Sequence, residues 1–155
     1  MEFKELKKNY EVLAKKFKLP PFAEVDDNFE IHKIDRESDA LLRAVRKQMM
    51  EKIVNSVGFV EMLLSGANAP RMYFGYLKTI SQTDRNALEK IYKNFSELII
   101  SSLELEIEYG EKEEAELIKK IVEVWGGVKE DFKKILCNIR KPNESVVRKE
   151  RSYFG

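Results

Sequence analysis

The chain has 155 residues, enough for one ordinary domain whose core can bury roughly two-thirds of the unfolded surface without help from metal or disulfide. Hydrophobic residues make up 43% and charged residues 35%, which excludes a disordered tether. The formal net charge of +1 excludes a global electrostatic pull toward nucleic acid or an anionic membrane.

Helix one is predicted over Glu2 to Phe17. Phe3, Leu6, Tyr10, Leu13 and Phe17 recur at spacings of 3 and 4, a stripe along one helix face. Its charged residues interrupt any apolar h-region, so the segment does not read as a secretory signal. Leu19-Pro20-Pro21-Phe22 ends the helix, because proline lacks the donor the ladder needs and disfavours helix in the residue before it. Residues Ala23 to Ile34 read as an irregular strap laid across the bundle. Gly and Ser are absent from it, unlike a flexible linker.

Helix two is predicted from Arg36 to Leu64, capped by Asp35 or Ser38 and ended by Gly66 in a left-handed conformation. A short helix, Pro70 to Ile80, carries Met72, Tyr73, Phe74 and Tyr76 and is expected to wedge between longer helices. Ser81-Gln82-Thr83-Asp84 has the form of a cap. The helix after it, Asp84 to Tyr109, is apolar on more than one face and is expected to be central. Gly110 breaks the chain. Two further helices follow, Glu111 to Trp125 and Val128 to Arg140, divided at Gly126-Gly127. The fold class is therefore all-α: a single bundle of five to six helices over residues 1–140 with an irregular strap after helix one. A basic tail, 141–155, is disordered or one short helix.

The chemistry is sparse. His32, Cys137 and Trp125 are each the sole residue of their type. No glycine-rich phosphate loop is present, and no catalytic, cofactor or metal residues are assigned. Glu104, Glu106, Glu108, Glu111, Glu113, Glu114 and Glu116 form an acidic stretch. A di-iron bundle site needs Glu-x-x-His pairs, and one histidine cannot supply two of them. Helical nucleotide pyrophosphatases use Glu-Glu-x-x-Glu followed by Glu-x-x-Asp, a spacing that Glu113-Glu114-Ala115-Glu116 and Asp131 do not match. The stretch reads as a solvated acidic turn with Glu111 to Glu114 favourably placed at a helix N-terminus. His32 reads as structural or exposed, and Cys137 as a half-buried small residue.

Arg43, Arg46 and Lys47 lie at i, i+3 and i+4 and share a surface. With Arg148, Lys149 and Arg151 of the tail they are the candidate contacts for nucleic acid or a partner. Acids interleave with the bases, so i,i+4 pairing competes with that reading. Phe3, Tyr10, Phe22, Phe29, Tyr153 and Phe154, together with Met50 and Met62, are more apolar surface than one small bundle easily buries. The first six form the candidate apolar interface.

Leu19-Pro20-Pro21-Phe22, Phe29-Glu30-Ile31, Leu41-Leu42-Arg43-Ala44-Val45-Arg46, Glu114-Ala115-Glu116-Leu117-Ile118 and Trp125 together resemble small, uncharacterised, all-helical archaeal proteins over residues 19–125. The resemblance implies an archaeal cytoplasmic protein and brings no activity. The 20 Lys and 21 Glu against 2 Gln are the compositional bias of hyperthermophiles. A single cysteine agrees with the cytoplasm, and no apolar run approaches the ~20 residues of a membrane span. The function expected is a non-enzymatic interaction or scaffold subunit without cofactor, acting as a homo-oligomer or with a protein partner. Nucleic-acid association through the basic helix face and tail is the alternative.

Overall fold

A computed structural model describes residues 2–35, 40–66 and 69–140. Among them the elements are helices α1 (Phe3–Phe17), α2 (Phe22–Phe29), α3 (Leu41–Ser65), α4 (Phe74–Leu77), α5 (Gln82–Ile107) and α6 (Glu111–Arg140), with 3-10 turns at Ile31–Lys33 and Arg71–Tyr73. The all-α bundle is thus as expected, with six helices. No helix among the described residues is long and apolar enough to cross a membrane.

Helices α3, α5 and α6 make the core. Arg85, near the start of α5, donates from Nη1 to the Leu64 carbonyl at the end of α3 (3.1 Å), so α5 runs back along α3. Tyr109 and Gly110 reverse the chain into α6, whose far end returns to α5 where Asn138 donates to Asp84 (3.4 Å). Each helix turns a buried face to the other two: Val45, Met49 and Ile53 from α3, Leu88, Ile91 and Phe95 from α5, and Ile118, Ile121 and Trp125 from α6. The helix ends use the expected devices. Ser81 Oγ accepts from the Asp84 N–H (3.0 Å). Gly66 adopts φ 63° and its N–H donates to Met62, a conformation glycine enters without a Cβ clash.

Four expectations are corrected here. The strap is not irregular: residues 22–29 form α2, started by Pro21 at its N-cap and burying Phe22, Val25 and Phe29. Proline suits a helix start because the donor it lacks has no intrahelical partner there. Gly126-Gly127 does not divide the last helix, and α6 runs unbroken for 30 residues. Trp125 and Val128 are buried on either side of the glycines, and that packing outweighs a propensity cost of ~1 kcal/mol per glycine. The 69–80 connector is not wedged inward: it holds a 3-10 turn and a single helical turn without a buried residue. Helix α3 begins at Leu41 with Ala40 at its N-cap, so Asp35 does not cap it. Ser38 lies outside the described residues.

The α1–α2 pair lies over the groove between α3 and α6. Phe29 packs on Trp125 of α6 (centroids 5.9 Å apart), and Lys52 of α3 donates to the Asn28 carbonyl. Lys16 at the end of α1 reaches Glu111 of α6 (3.2 Å). Among the described residues no element covers the opposite groove, between α3 and α5, in the same way.

Candidate functional site

The first turns of α3 and α6 and the last turns of α5 meet at one end of the bundle and build a charge cluster. Arg46 is 1% exposed. Its Nε donates to Glu114 Oε2 (2.8 Å) and its Nη2 to Glu114 Oε1 (3.0 Å). This planar two-bond fork is the geometry in which a guanidinium best matches a carboxylate. Nη1 donates to Ser102 Oγ (2.8 Å) and pairs with Glu106 Oε1 (2.9 Å). Arg43 Nη2 donates to Glu106 Oε2 (2.9 Å), Lys47 Nζ stands 3.4 Å from the same oxygen, and the Arg43 guanidinium lies over the Tyr109 ring (5.9 Å).

Burial pushes the Glu106 carboxyl up, but hydrogen bonds from Arg43 and Arg46 and the charges of Arg46 and Lys47 overcome it and hold the group at about 2. For Arg46 burial opposes the charge, while the Glu114 and Glu106 carboxylates outweigh it and raise the pKa. The arrangement neutralises a cation inside the bundle.

The candidate basic face is therefore corrected at its centre. Arg46 is buried because it sits at i+3 from Arg43 on the side of α3 that meets α5 and α6. Arg43 is half-buried, Lys47 is exposed, and both contact Glu106. Arg148, Lys149 and Arg151 lie outside the described residues, as do Tyr153 and Phe154. Of the remaining apolar candidates, Tyr10, Phe22 and Phe29 are core, not interface. The Pro20-Pro21 corner folds α2 back so that Tyr10 donates to the Pro20 carbonyl (2.7 Å) and packs edge-on against Phe22 (5.6 Å). Burial first, then the Glu24 charge, raises the Tyr10 pKa. Phe3 is exposed, with one ring edge on Phe22. Met50 is buried as well.

The acidic stretch disperses. Glu114 and Glu106 serve Arg46, Glu111 pairs with Lys16 and Glu116 with Lys119. Glu104, Glu108, Glu113 and Glu116 line an open groove of about 650 Å³ with Lys112 and Lys120. Among the described residues no group of three or more His, Cys, Asp or Glu is placed to hold a metal ion. His32 is exposed and braces the corner after α2: Asp26 Oδ1 accepts from its backbone N–H and lies 2.8 Å from its Nδ1. Cys137 is exposed, not half-buried: it lies on the rim of an open groove that Leu136 and Ile139 also line. A cation the sequence did not single out, Lys52, stands over Trp125 (4.8 Å) and Phe29 (5.8 Å).

The feature that packing leaves over is on α5. Ile100, Leu103 and Ile107 are 57%, 58% and 88% exposed, and Tyr92 and the half-buried Ile99 continue the same face toward the N-terminus. This is the second apolar face that made the helix read as central, and it stays outside. On its α3 side it borders a shallow groove of about 440 Å³ whose lips include Val54, Met50, Ser102 and Glu106. The sequence held this signal in the surplus of apolar positions at helical spacing. Nothing local to α5 says which of its two faces meets the bundle. No protein-family model, curated protein or solved structure matches the chain.

Proposed function

We propose that the chain is a non-enzymatic protein-interaction subunit whose contact surface is the exposed apolar face of α5. One observation carries the reading. Tyr92, Ile99, Ile100, Leu103 and Ile107 form a continuous stripe on a helix whose other side is fully packed. Isolated exposed apolar residues are normal on any protein, whereas a contiguous helical stripe marks a contact site. The charge cluster fits this role as a brace that fixes α3, α5 and α6 at the end of the bundle where the stripe is most exposed. The exposed Cys137 thiol suits a reducing compartment, and with the Lys/Glu bias it supports placing the protein in the cytoplasm of a thermophile.

The test is capture of the tagged full chain and a Leu103→Glu variant from native cells, with and without nuclease. Partners that survive nuclease and disappear with Leu103→Glu support the reading. Partners indifferent to Leu103→Glu and lost to nuclease overturn it in favour of nucleic-acid association.

A further inference from the structure

We infer that the occupant of the α5 stripe is a second copy of this chain, packed antiparallel across a two-fold axis at the level of Ile99 and Ile100. The inference rests on the interaction reading above and names its partner. The stripe from Tyr92 to Ile107 is ~22 Å long at 1.5 Å per residue, and in the antiparallel register Tyr92 stands level with the second copy's Ile107, and Ser96 with its Leu103. Every apolar position then meets an apolar or small one. Val54 on the α3 lip of the adjoining groove widens the surface toward the ~800 Å² per partner that a stable interface needs.

Charge selects the direction. At about 100° per residue, Lys90, Lys93, Glu97 and Glu104 fall along one edge of the stripe, Glu108 follows at the C-cap of the helix, and all five are exposed. The cations occupy its N-terminal half and most of the acids its C-terminal half. Antiparallel pairing sets Lys90 and Lys93 beside Glu104 and Glu108 of the second copy, twice over by symmetry, and places Glu97 level with Ser102. Parallel pairing would instead turn this edge toward the opposite edge of the second copy, so that the lysines and glutamates would not meet one another. Edge charges of this kind decide partner and direction in paired helices, and a two-fold contact requires one surface to complement itself. The helix dipoles also oppose one another in the antiparallel pair.

The experiment is sedimentation velocity on the full chain at micromolar concentration, with helicity checked by circular dichroism. The wild type is expected at twice its 18.2 kDa chain mass, and Leu103→Glu at the chain mass with unchanged helicity, because Leu103 is exposed. Lys93→Glu is expected to weaken dimerisation several-fold, and Lys93→Glu with Glu104→Lys to restore it. A wild-type monomer, or a dimer indifferent to Leu103→Glu, overturns the inference. The two readings separate cleanly. A monomer that still loses a different captured protein on Leu103→Glu overturns the second copy and keeps the interaction surface. A monomer that loses none overturns both.

Discussion

Arg46 and Glu114 are the residues on which the end of the bundle depends. Removing one partner of a buried pair leaves the other charge without compensation, at a cost of about 3–5 kcal/mol. Arg46→Met is therefore expected to lower the unfolding free energy by about that amount in urea titration. Arg46→Met combined with Glu114→Leu should recover most of the loss, because two apolar side chains of similar volume replace the pair without an orphaned charge. A double variant as unstable as the single one would show that the pair's hydrogen bonds, not the orphaned charge, set the cost. Glu106 gives a separate signature. Its carboxyl falls from 4.5 to about 2 on folding. A depressed pKa contributes stability above the unfolded value and loses it as pH falls toward the folded one. Wild-type stability should therefore decline between about pH 4.5 and pH 2, and Glu106→Gln should flatten the slope in that window. The sequence made this cluster half legible. The i, i+3, i+4 spacing put Arg43, Arg46 and Lys47 on one surface, but Glu114 lies 68 residues from Arg46, and only tertiary packing chooses that carboxylate from the many in the acidic stretch.

At the scale of elements, proline and glycine signals are ambiguous alone, and neighbouring apolar residues decide between their meanings. Phe22, Val25 and Phe29 have helical spacing, and Pro21 is a helix-start residue, yet a proline pair reads first as a helix stop. In fact α1 has already ended at Lys18 in a left-handed C-cap, and the pair starts α2. Gly126-Gly127 reads as a break, but α6 is held on both sides of it by Trp125 and Val128. That leads to an expectation at the glycines themselves. Both are exposed, and a Cβ added at either meets no atom within 4 Å. Glycine inside a helix costs roughly 0.5–1 kcal/mol relative to alanine. Gly126→Ala with Gly127→Ala should stabilise the protein by about 1–2 kcal/mol and raise its melting temperature by roughly 2–8 °C. A drop in melting temperature would mean that α6 needs the pair as a bend.

At the scale of the whole molecule, two grooves flank α3, and their treatment differs. The α1–α2 arm fills one of them, with Phe29 set against Trp125 and Trp125 stacked on Phe95 of α5 (6.2 Å). Composition and periodicity were enough to read an all-α bundle, because each long helix announces its apolar stripe. Which groove the N-terminal segment would cover, and therefore which stripe would be left over, depends on contacts between residues as distant as Phe29 and Trp125. Trp125 is the sole tryptophan, so it reports the docking of the arm by itself. Phe29 is 3% exposed, and removing a buried phenylalanine ring costs about 3–5 kcal/mol. Phe29→Ala is expected to lower stability by that amount. It should also shift the folded-state emission of Trp125 to longer wavelength, since the lost ring opens the indole to water while α3, α5 and α6 still hold together. Tryptophan fluorescence and circular dichroism, followed through the same denaturant titration, would then separate: the emission change comes first and the loss of helix later. Coincident transitions in the variant, with native-like emission before them, would instead make the arm and the three-helix core one cooperative unit, and the open α3–α5 groove would have to be explained without a detachable cover on its twin.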